Sequence, residues 1–433
     1  MKIASQNHTP NSPIVFEDIL ITHINGHSLE KPIASQVVLH FTPTFRTVIE
    51  SENLPIEVND HRMESPFVVT IADKGEVPVV LERLNEPISP NGKSSGALAL
   101  AKSPFTVIHR DEKITSIRFS VLNFPKFFGG RDTWIGRQCV GATTLTYDRL
   151  QVKITQDLSL SQNKEYLNET NGYSVTLNGV IRFTDGAELS VDEAKDILRG
   201  LRAFLSFARG AACGLTLVNT TLPDDKSIFF EWGTTYTEPW HCGYDTWLPT
   251  IVDGGKNLSL AFNGFWMLYS NPNWKNVLTR VIDLYLNSKS TAYHVGIILI
   301  QAALESLCSR IADPKNKTDT TGEYLSDSIK HIGLCTSIPS SCKSLAMIFQ
   351  NNSSVNGDGL IAITKLRNDI VHPNQKCSDN TEAWMEALKL GQWYIEMILL
   401  KQFSYSGRYR NRLAKVGESV FEMVPWTIQE PIG

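Results

Sequence analysis

The hydrophobic period of this chain changes once, near Ser190, and that change limits the architectures it can adopt. From Ile14 to about Phe183, apolar residues alternate with polar ones: Ile117, Phe119 and Val121, then Leu150, Val152 and Ile154, then Tyr173, Val175 and Leu177. A period of two puts alternate side chains on one face of a sheet, so these runs are expected to be half-buried strands. Asn25-Gly26, Asn91-Gly92, Gly129-Gly130, Asn171-Gly172, Asn178-Gly179 and Asp185-Gly186 punctuate them with residues suited to tight turns. A β-rich, sandwich-like unit is the expectation.

Beyond Ser190 the spacing becomes helical. Ser190 and Glu193 form a capping-box start, followed by Ile197, Leu201, Phe204, Leu205 and Ala208 before Gly210. One helix of about 20 residues is predicted there. The next stretch holds Trp232, Trp240, Trp247, Trp266 and Trp274 among Pro and Gly, and these rings are expected to pack under irregular loops rather than line a groove. Apolar residues then recur at three and four, as in Ile297, Ile300, Leu304 and Leu307, in Leu325 and Ile329, in Ile363, Leu366 and Ile370, and in Trp384, Leu388, Ile395 and Ile398. Breaks at Asp313-Pro314, Ile338-Pro339, Asn351 to Gly359 and His372-Pro373 divide these into the helices of a small bundle. The predicted class is α+β and multidomain: a β-rich region over 1–271, a helical bundle over 272–405, and a basic, aromatic tail over 406–433.

Composition narrows the function. A chain of 433 residues with a net charge of −4 and 42% apolar residues is neither disordered nor globally basic. The residues before and after Pro272 carry −6 and +2, too mild an asymmetry to argue nucleic-acid binding alone. The longest apolar run, Val295 to Ile300, falls far short of the roughly 20 residues that cross a bilayer. No secretory signal pattern precedes Pro10, so a cytoplasmic protein with no membrane partner is expected. The seven cysteines are widely spaced and read as reduced thiols. Cys335 and Cys342, the nearest pair, lack zinc-ligand spacing, so no metal and no cofactor are expected.

Several apparent motifs fail. Gly92-Lys93-Ser94 lacks the first glycine of a phosphate loop, since Pro87 stands there, and is expected to be a turn. His241 and Cys242 are adjacent, which points their side chains apart in regular structure. The stretch Lys365-Leu366-Arg367-Asn368-Asp369-Ile370-Val371-His372-Pro373 is different. Pro373 disfavours helical geometry at His372, so Arg367 and His372 share a helix end. Arg367 lies roughly 40° from Ile363 on the helical wheel, so its stem can pack while its guanidinium reaches a cleft.

An arginine fork can hold a phosphodiester and stabilise charge on the phosphorane oxygens. A histidine with a pKa near 6.5 can take the proton from a ribose 2′-hydroxyl. Together they would cleave RNA without a metal, leaving a 2′,3′-cyclic phosphate. The plainer alternative is that both residues pair with carboxylates and cap the helix. Asn368 either donates to a phosphate or closes the helix, and Asp369 is a solvated helix residue or a partner of Arg367. Glu305 lies roughly 80° off its own apolar stripe; it is either an exposed carboxylate or a bidentate partner that orients Arg367. Arg408, Arg410, Arg412 and Lys415, beside Tyr405 and Tyr409, form either a solvated tail or a track for an RNA backbone.

The R-N-x-x-x-H arrangement, preceded by Ala303-Leu304-Glu305-Ser306-Leu307 and followed by another helix, resembles the HEPN domain over roughly residues 272–405. That resemblance implies an all-α HEPN helical bundle acting as a metal-independent endoribonuclease, with Arg367, Asn368 and His372 in the catalytic site and a homodimer sharing two copies of His372. The run from Val191-Asp192-Glu193-Ala194 to Leu205-Ser206-Phe207-Ala208-Arg209-Gly210, the Trp-rich stretch and the carboxy-terminal helices together are similar to ApeA-like bacterial proteins. This implies a restrained toxin in anti-phage, abortive-infection defence, with the β-rich region sensing a phage-derived trigger. The alternative from another class is a non-catalytic binding or dimerisation protein whose β-rich half recognises a protein or carbohydrate.

Overall fold

The computed structural model describes residues 9–41, 46–54, 67–72, 75–84, 94–100, 106–108, 114–130, 133–135, 138–157, 159–221, 229–231, 236–241, 245–312, 320–350, 352–372, 380–415 and 420–427. Two compact units divide the chain. Unit 1 comprises residues 1–144, 148–202 and 213–243; unit 2 comprises 145–147, 203–212 and 244–433.

The first strands of unit 1 are β1 (Ile14–Ile24), β2 (His27–His40), β3 (Arg46–Leu54), β4 (Phe67–Ile71), β5 (Gly75–Leu84) and β6 (Ser94–Leu100). They close into an antiparallel barrel of order β1-β2-β3-β6-β5-β4. The β1–β2 hairpin turns on Asn25 (φ 50°) and Gly26 (φ 78°), two positive-φ positions that match the twist of the flanking strands. Alternation supplies the barrel interior: Ile21, Val37, Leu39, Ile49, Val69 and Val79 belong to one buried cluster. Among the described residues, closure leaves the barrel itself no edge strand to pair with another chain.

The rest of unit 1 contains β7 (Thr106–Ile108), β8 (Ser116–Leu122), β9 (Thr133–Ile135), β10 (Gln138–Val140), β11 (Ala142–Tyr147), β12 (Leu150–Gln156), α1 (Ser159–Thr170), β13 (Val175–Phe183), α2 (Val191–Arg209), β14 (Leu215–Thr221) and β15 (Phe229–Glu231). A seven-stranded sheet runs β11-β12-β13-β8-β14-β15-β7. The alternating residues Ile117, Phe119 and Val121 of β8 and Val152 and Ile154 of β12 are buried. Helix α2 opens with the expected capping box: the Ser190 backbone N–H donates to Glu193 Oε2 at 2.8 Å and the Glu193 N–H to Ser190 Oγ at 3.2 Å. These bonds from Ser190 hold the Glu193 carboxyl below its ordinary pKa. By the division into units, α2 starts in unit 1 and ends in unit 2.

Unit 2 is built from α3 (Gly254–Tyr269), α4 (Pro272–Asn287), α5 (Tyr293–Ile311), α6 (Thr321–His331), α7 (Lys343–Ile348), α8 (Gly359–Val371) and α9 (Thr381–Gln402), then β16 (Arg408–Arg410) and β17 (Phe421–Met423). α5 is the hub and packs against α4, α6, α8 and α9. Its crossing with α9 is tight at Gly391, where a Cβ would lie 2.4 Å from the Ile300 Cγ2. Among the described residues, α5 is the one helix long and apolar enough to cross a membrane, and its Ile297, Ile300, Leu304 and Leu307 are buried in this core. An aromatic cluster fills the other side of the unit: Phe207 packs on Trp247, Tyr285 and Phe403, and Phe265 on Trp266, Tyr269 and Phe403.

The expected architecture, a sandwich-like region followed by an all-α HEPN helical bundle, is corrected on both counts. The amino-terminal strands split between a closed barrel and a seven-stranded sheet. Period-two alternation reports one buried face per strand, and a barrel and a sandwich satisfy it equally. The carboxy-terminal unit takes in the end of α2 and α3, finishes in the β16–β17 sheet, and is not marked as a HEPN bundle by its arrangement. The Trp-rich stretch contributes α3, and Trp240, Trp247 and Trp266 are buried as expected. The Asn91-Gly92 turn, Gly92-Lys93, Trp232, Cys242, Asp313-Pro314, Pro373 and Cys377 lie outside the described residues.

Candidate functional site

The end of α8 is positioned from its beginning. Asp358 caps the helix, accepting from the Leu360 and Ile361 N–H groups at 3.0 and 3.3 Å. Its other oxygen accepts from the Ser326 hydroxyl and from Thr336 Oγ1 at 2.7 Å, with Lys330 Nζ at 3.3 Å. Buried Leu360, Ala362, Ile363 and Leu366 hold the helix against α5, α6 and α9. After thirteen helical residues the helix stops at His372, whose φ of −124° leaves helical geometry while its N–H still donates to the Asn368 carbonyl at 2.9 Å.

Arg367 is half-buried and His372 exposed. Arg367 Nη1 donates to Asn368 Oδ1 at 3.1 Å. Its Nε is buried and has no hydrogen-bond partner. Among the described residues neither Arg367 nor His372 is in an ion pair. Asn368 thus spends its amide oxygen on Arg367, and among the described residues its amide nitrogen donates to no protein group. Asp369 is half-buried; burial raises its pKa and Lys365, one turn earlier, opposes the rise. It is not an ion-pair partner of Arg367 among the described residues.

Two expected site residues are placed otherwise. Glu305 does not reach Arg367: its Oε1 accepts from Gln301 Nε2 at 3.1 Å, and the same nitrogen meets Thr364 Oγ1 at 3.2 Å. The buried Gln301 thus stands in the α5–α8 seam, where a direct carboxylate–guanidinium pair was one of the two alternatives for Glu305. Arg412 is not part of a solvated RNA track. It is 5% exposed, and its Nε donates to Glu396 Oε2 at 2.9 Å while Nη2 also bonds Glu396. Nη1 donates to Gln392 Oε1 at 3.0 Å and to the Asp245 carboxylate, and Nη2 to the Tyr285 hydroxyl at 3.2 Å.

This second cluster was not foreseen, because its members stand at 245, 285, 392, 396 and 412 with no motif to join them. Tyr285 donates to Glu396, and burial followed by the Glu396 charge pushes its hydroxyl pKa well up. Burial alone would raise the Asp245 pKa, but Arg412, Lys289 and Arg410 together hold it below its ordinary value. Burial opposes the Arg412 charge, and Glu396, Tyr285 and Asp245 more than restore it. Tyr405 and Tyr409 are also buried and cannot offer rings for stacking on bases. Arg408 and Lys415 are exposed and Arg410 is half-buried.

Among the described residues no group of three or more His, Cys, Asp or Glu side chains is placed to hold a metal ion. Buried Cys308 has its thiol pushed up by burial to about 12 and Cys342 to about 11, so neither is a ready thiolate.

Comparison with known proteins agrees with the order of the units without adding a chemistry. No solved structure matches the chain. The protein described as "SPbeta prophage-derived uncharacterized protein YopA", from Bacillus subtilis (strain 168), is 24% identical over 417 residues, covering 92% of this chain and 92% of its own. Residues 109–243 match the family model for the YopA central domain, and residues 271–423, from α4 through β17, match that for the YopA C-terminal domain.

Proposed function

We propose that the protein is a metal-independent endoribonuclease whose site is the end of α8. The observation that carries this reading is the state of Arg367: half-buried and, among the described residues, with its Nε unpartnered and no carboxylate neutralising it. A buried guanidinium donor without a partner is costly, about 1–3 kcal/mol, and a phosphodiester oxygen would satisfy it. Asn368 fixes one edge of the guanidinium and keeps its own N–H groups for a second phosphate oxygen. His372, exposed at the helix end, takes the 2′-hydroxyl proton; the 2′-oxygen attacks phosphorus, the P–O5′ bond breaks, and the 5′-oxygen leaves as its proton is supplied. The products are a 2′,3′-cyclic phosphate and a 5′-hydroxyl end.

A single histidine at the α8 end favours a homodimer in which two copies of His372 divide the base and acid roles. The prophage-derived description of the similar protein suits a toxin restrained until a phage-derived trigger arrives, acting in the cytoplasm. The test is incubation of the full chain with mixed RNA in EDTA. Cleavage to cyclic-phosphate ends, absent in His372→Ala and on DNA, is expected. Cleavage that requires added magnesium, or that persists in His372→Ala, would replace the reading.

A further inference from the structure

A cavity of about 590 Å³ lies on the α9 side of unit 2, away from any residue used above for RNA cleavage. Three segments build its wall: residues 341–343, the first turns of α9 and residues 413–415. Its size falls within the roughly 300–1,000 Å³ of small-molecule sites. Three ammonium groups, Lys343, Lys389 and Lys415, share this wall with two carboxylates, Glu382 and Glu386.

Two of the three lysines are not cancelled in place by these carboxylates. Glu386 Oε2 is occupied, accepting the Leu345 N–H at 2.7 Å. Among the described residues neither Lys343 nor Lys389 has a carboxylate within ion-pair distance. Two long cations therefore face the cavity with their hydrogen-bonding capacity unspent, which suits a phosphate that accepts from both. Glu382 is exposed and, among the described residues, bonds no protein donor, so it can accept from a sugar hydroxyl or an exocyclic amine. Met385, 52% exposed, and Leu413 supply an apolar wall on which a planar ring can lie, the thioether being suited to aromatic contact.

We propose that this cavity binds a nucleoside phosphate, with Lys343 and Lys389 on the phosphates, Met385 and Leu413 against the base, and Glu382 on the ribose or the amino group. Cations, flat apolar wall and carboxylate acceptor match the three chemically distinct parts of one small molecule. The site stands apart from Arg367 and His372, so it does not depend on the ribonuclease reading.

The test is calorimetric titration of the full chain with ATP at about 0.15 M salt, in parallel with adenosine, pyrophosphate and a short single-stranded RNA. ATP is expected to bind once per chain, at least about tenfold tighter than adenosine or pyrophosphate, a difference of about 1.4 kcal/mol. Lys343→Gln and Lys389→Gln should each weaken ATP about tenfold, and Lys389→Arg should keep most of the affinity. These side chains are exposed, and unchanged melting temperatures would verify that the variants fold. Any of four results overturns the proposal: no ATP binding up to about 5 mM, five times a Kd of about 1 mM, ATP affinity indifferent to both lysines, pyrophosphate binding as tightly as ATP, or RNA binding without nucleotide binding.

Discussion

Two arginines of unit 2 stand in opposite electrostatic conditions. Arg412 is buried, and its guanidinium is surrounded by Glu396, Gln392, Tyr285 and Asp245. Arg367 is half-buried and, among the described residues, keeps one buried nitrogen without a partner and has only the neighbouring Asn368 amide as a hydrogen-bond partner. A desolvated charge that is fully paired returns its cost to the fold when its partners stay in place. One left partly unpaired keeps that cost in the free protein and recovers it when an anion arrives. The Arg412 cluster accordingly holds the carboxy-terminal segment to α4 and α9, while the cost at Arg367 is left for the proposed phosphodiester to recover.

If that contrast is right, substitutions at the two sites separate activity from stability. Arg367→Ala and His372→Ala should each lower RNA cleavage by about 10²–10⁴-fold, read by product-end analysis; in urea denaturation His372→Ala should change unfolding free energy by less than about 0.5 kcal/mol, and Arg367→Ala should leave it unchanged or raise it by up to about 1–3 kcal/mol as the unpartnered Nε is removed. A stability loss as large as the activity loss would erase the distinction. Arg412→Ala should cost about 3–5 kcal/mol, because it strands the buried Glu396 carboxylate. The pair Arg412→Met with Glu396→Leu should recover most of that loss in the same urea titration; a double variant no better than the single would mean the cluster acts by more than charge pairing.

Smaller effects sharpen the same picture. Asp358→Ala removes the α8 cap and leaves the Ser326 and Thr336 hydroxyls unpaired, for about 2 kcal/mol. Hydrogen exchange should rise first at Leu360 and Ile361. The least effect is expected from acid at Asp245, whose side chain is 49% exposed, so screening by water limits its worth to less than about 1 kcal/mol. Its pKa is lowered in the folded protein, so the stabilisation is complete above the ordinary aspartate pKa and disappears as pH falls below about 4 through the folded value. Asp245→Asn should therefore flatten the acid limb of a stability–pH curve and change nothing in its slope near pH 7.

The parts legible in the sequence are those governed by near neighbours. The Ser190–Glu193 box, the periodic runs that became α5, α6, α8 and α9, and the strand alternation of β8 and β12 all follow from spacing within a few residues. So does the joint placement of Arg367, Asn368 and His372 at one helix end. Barrel closure depends on β1 meeting β4 and β3 meeting β6, pairings that alternation leaves undetermined. The two alternatives for Glu305 could not be separated because a helical wheel gives direction without showing that Gln301 occupies the intervening space. Arg412 and its tyrosine neighbours read as a basic aromatic tail because composition cannot distinguish a solvated arginine from one whose four partners arrive from three distant segments.

The hub position of α5 also carries a consequence for biosynthesis. This helix ends at Ile311, whereas α9, which covers its other face, is complete only at Gln402. At about 5–20 residues per second, the ribosome takes roughly 5–20 s to supply the missing cover. During that interval a segment with the length and apolarity of a membrane span is exposed on a nascent chain, and the targeting and chaperone machinery that surveys such segments meets it before its own fold does.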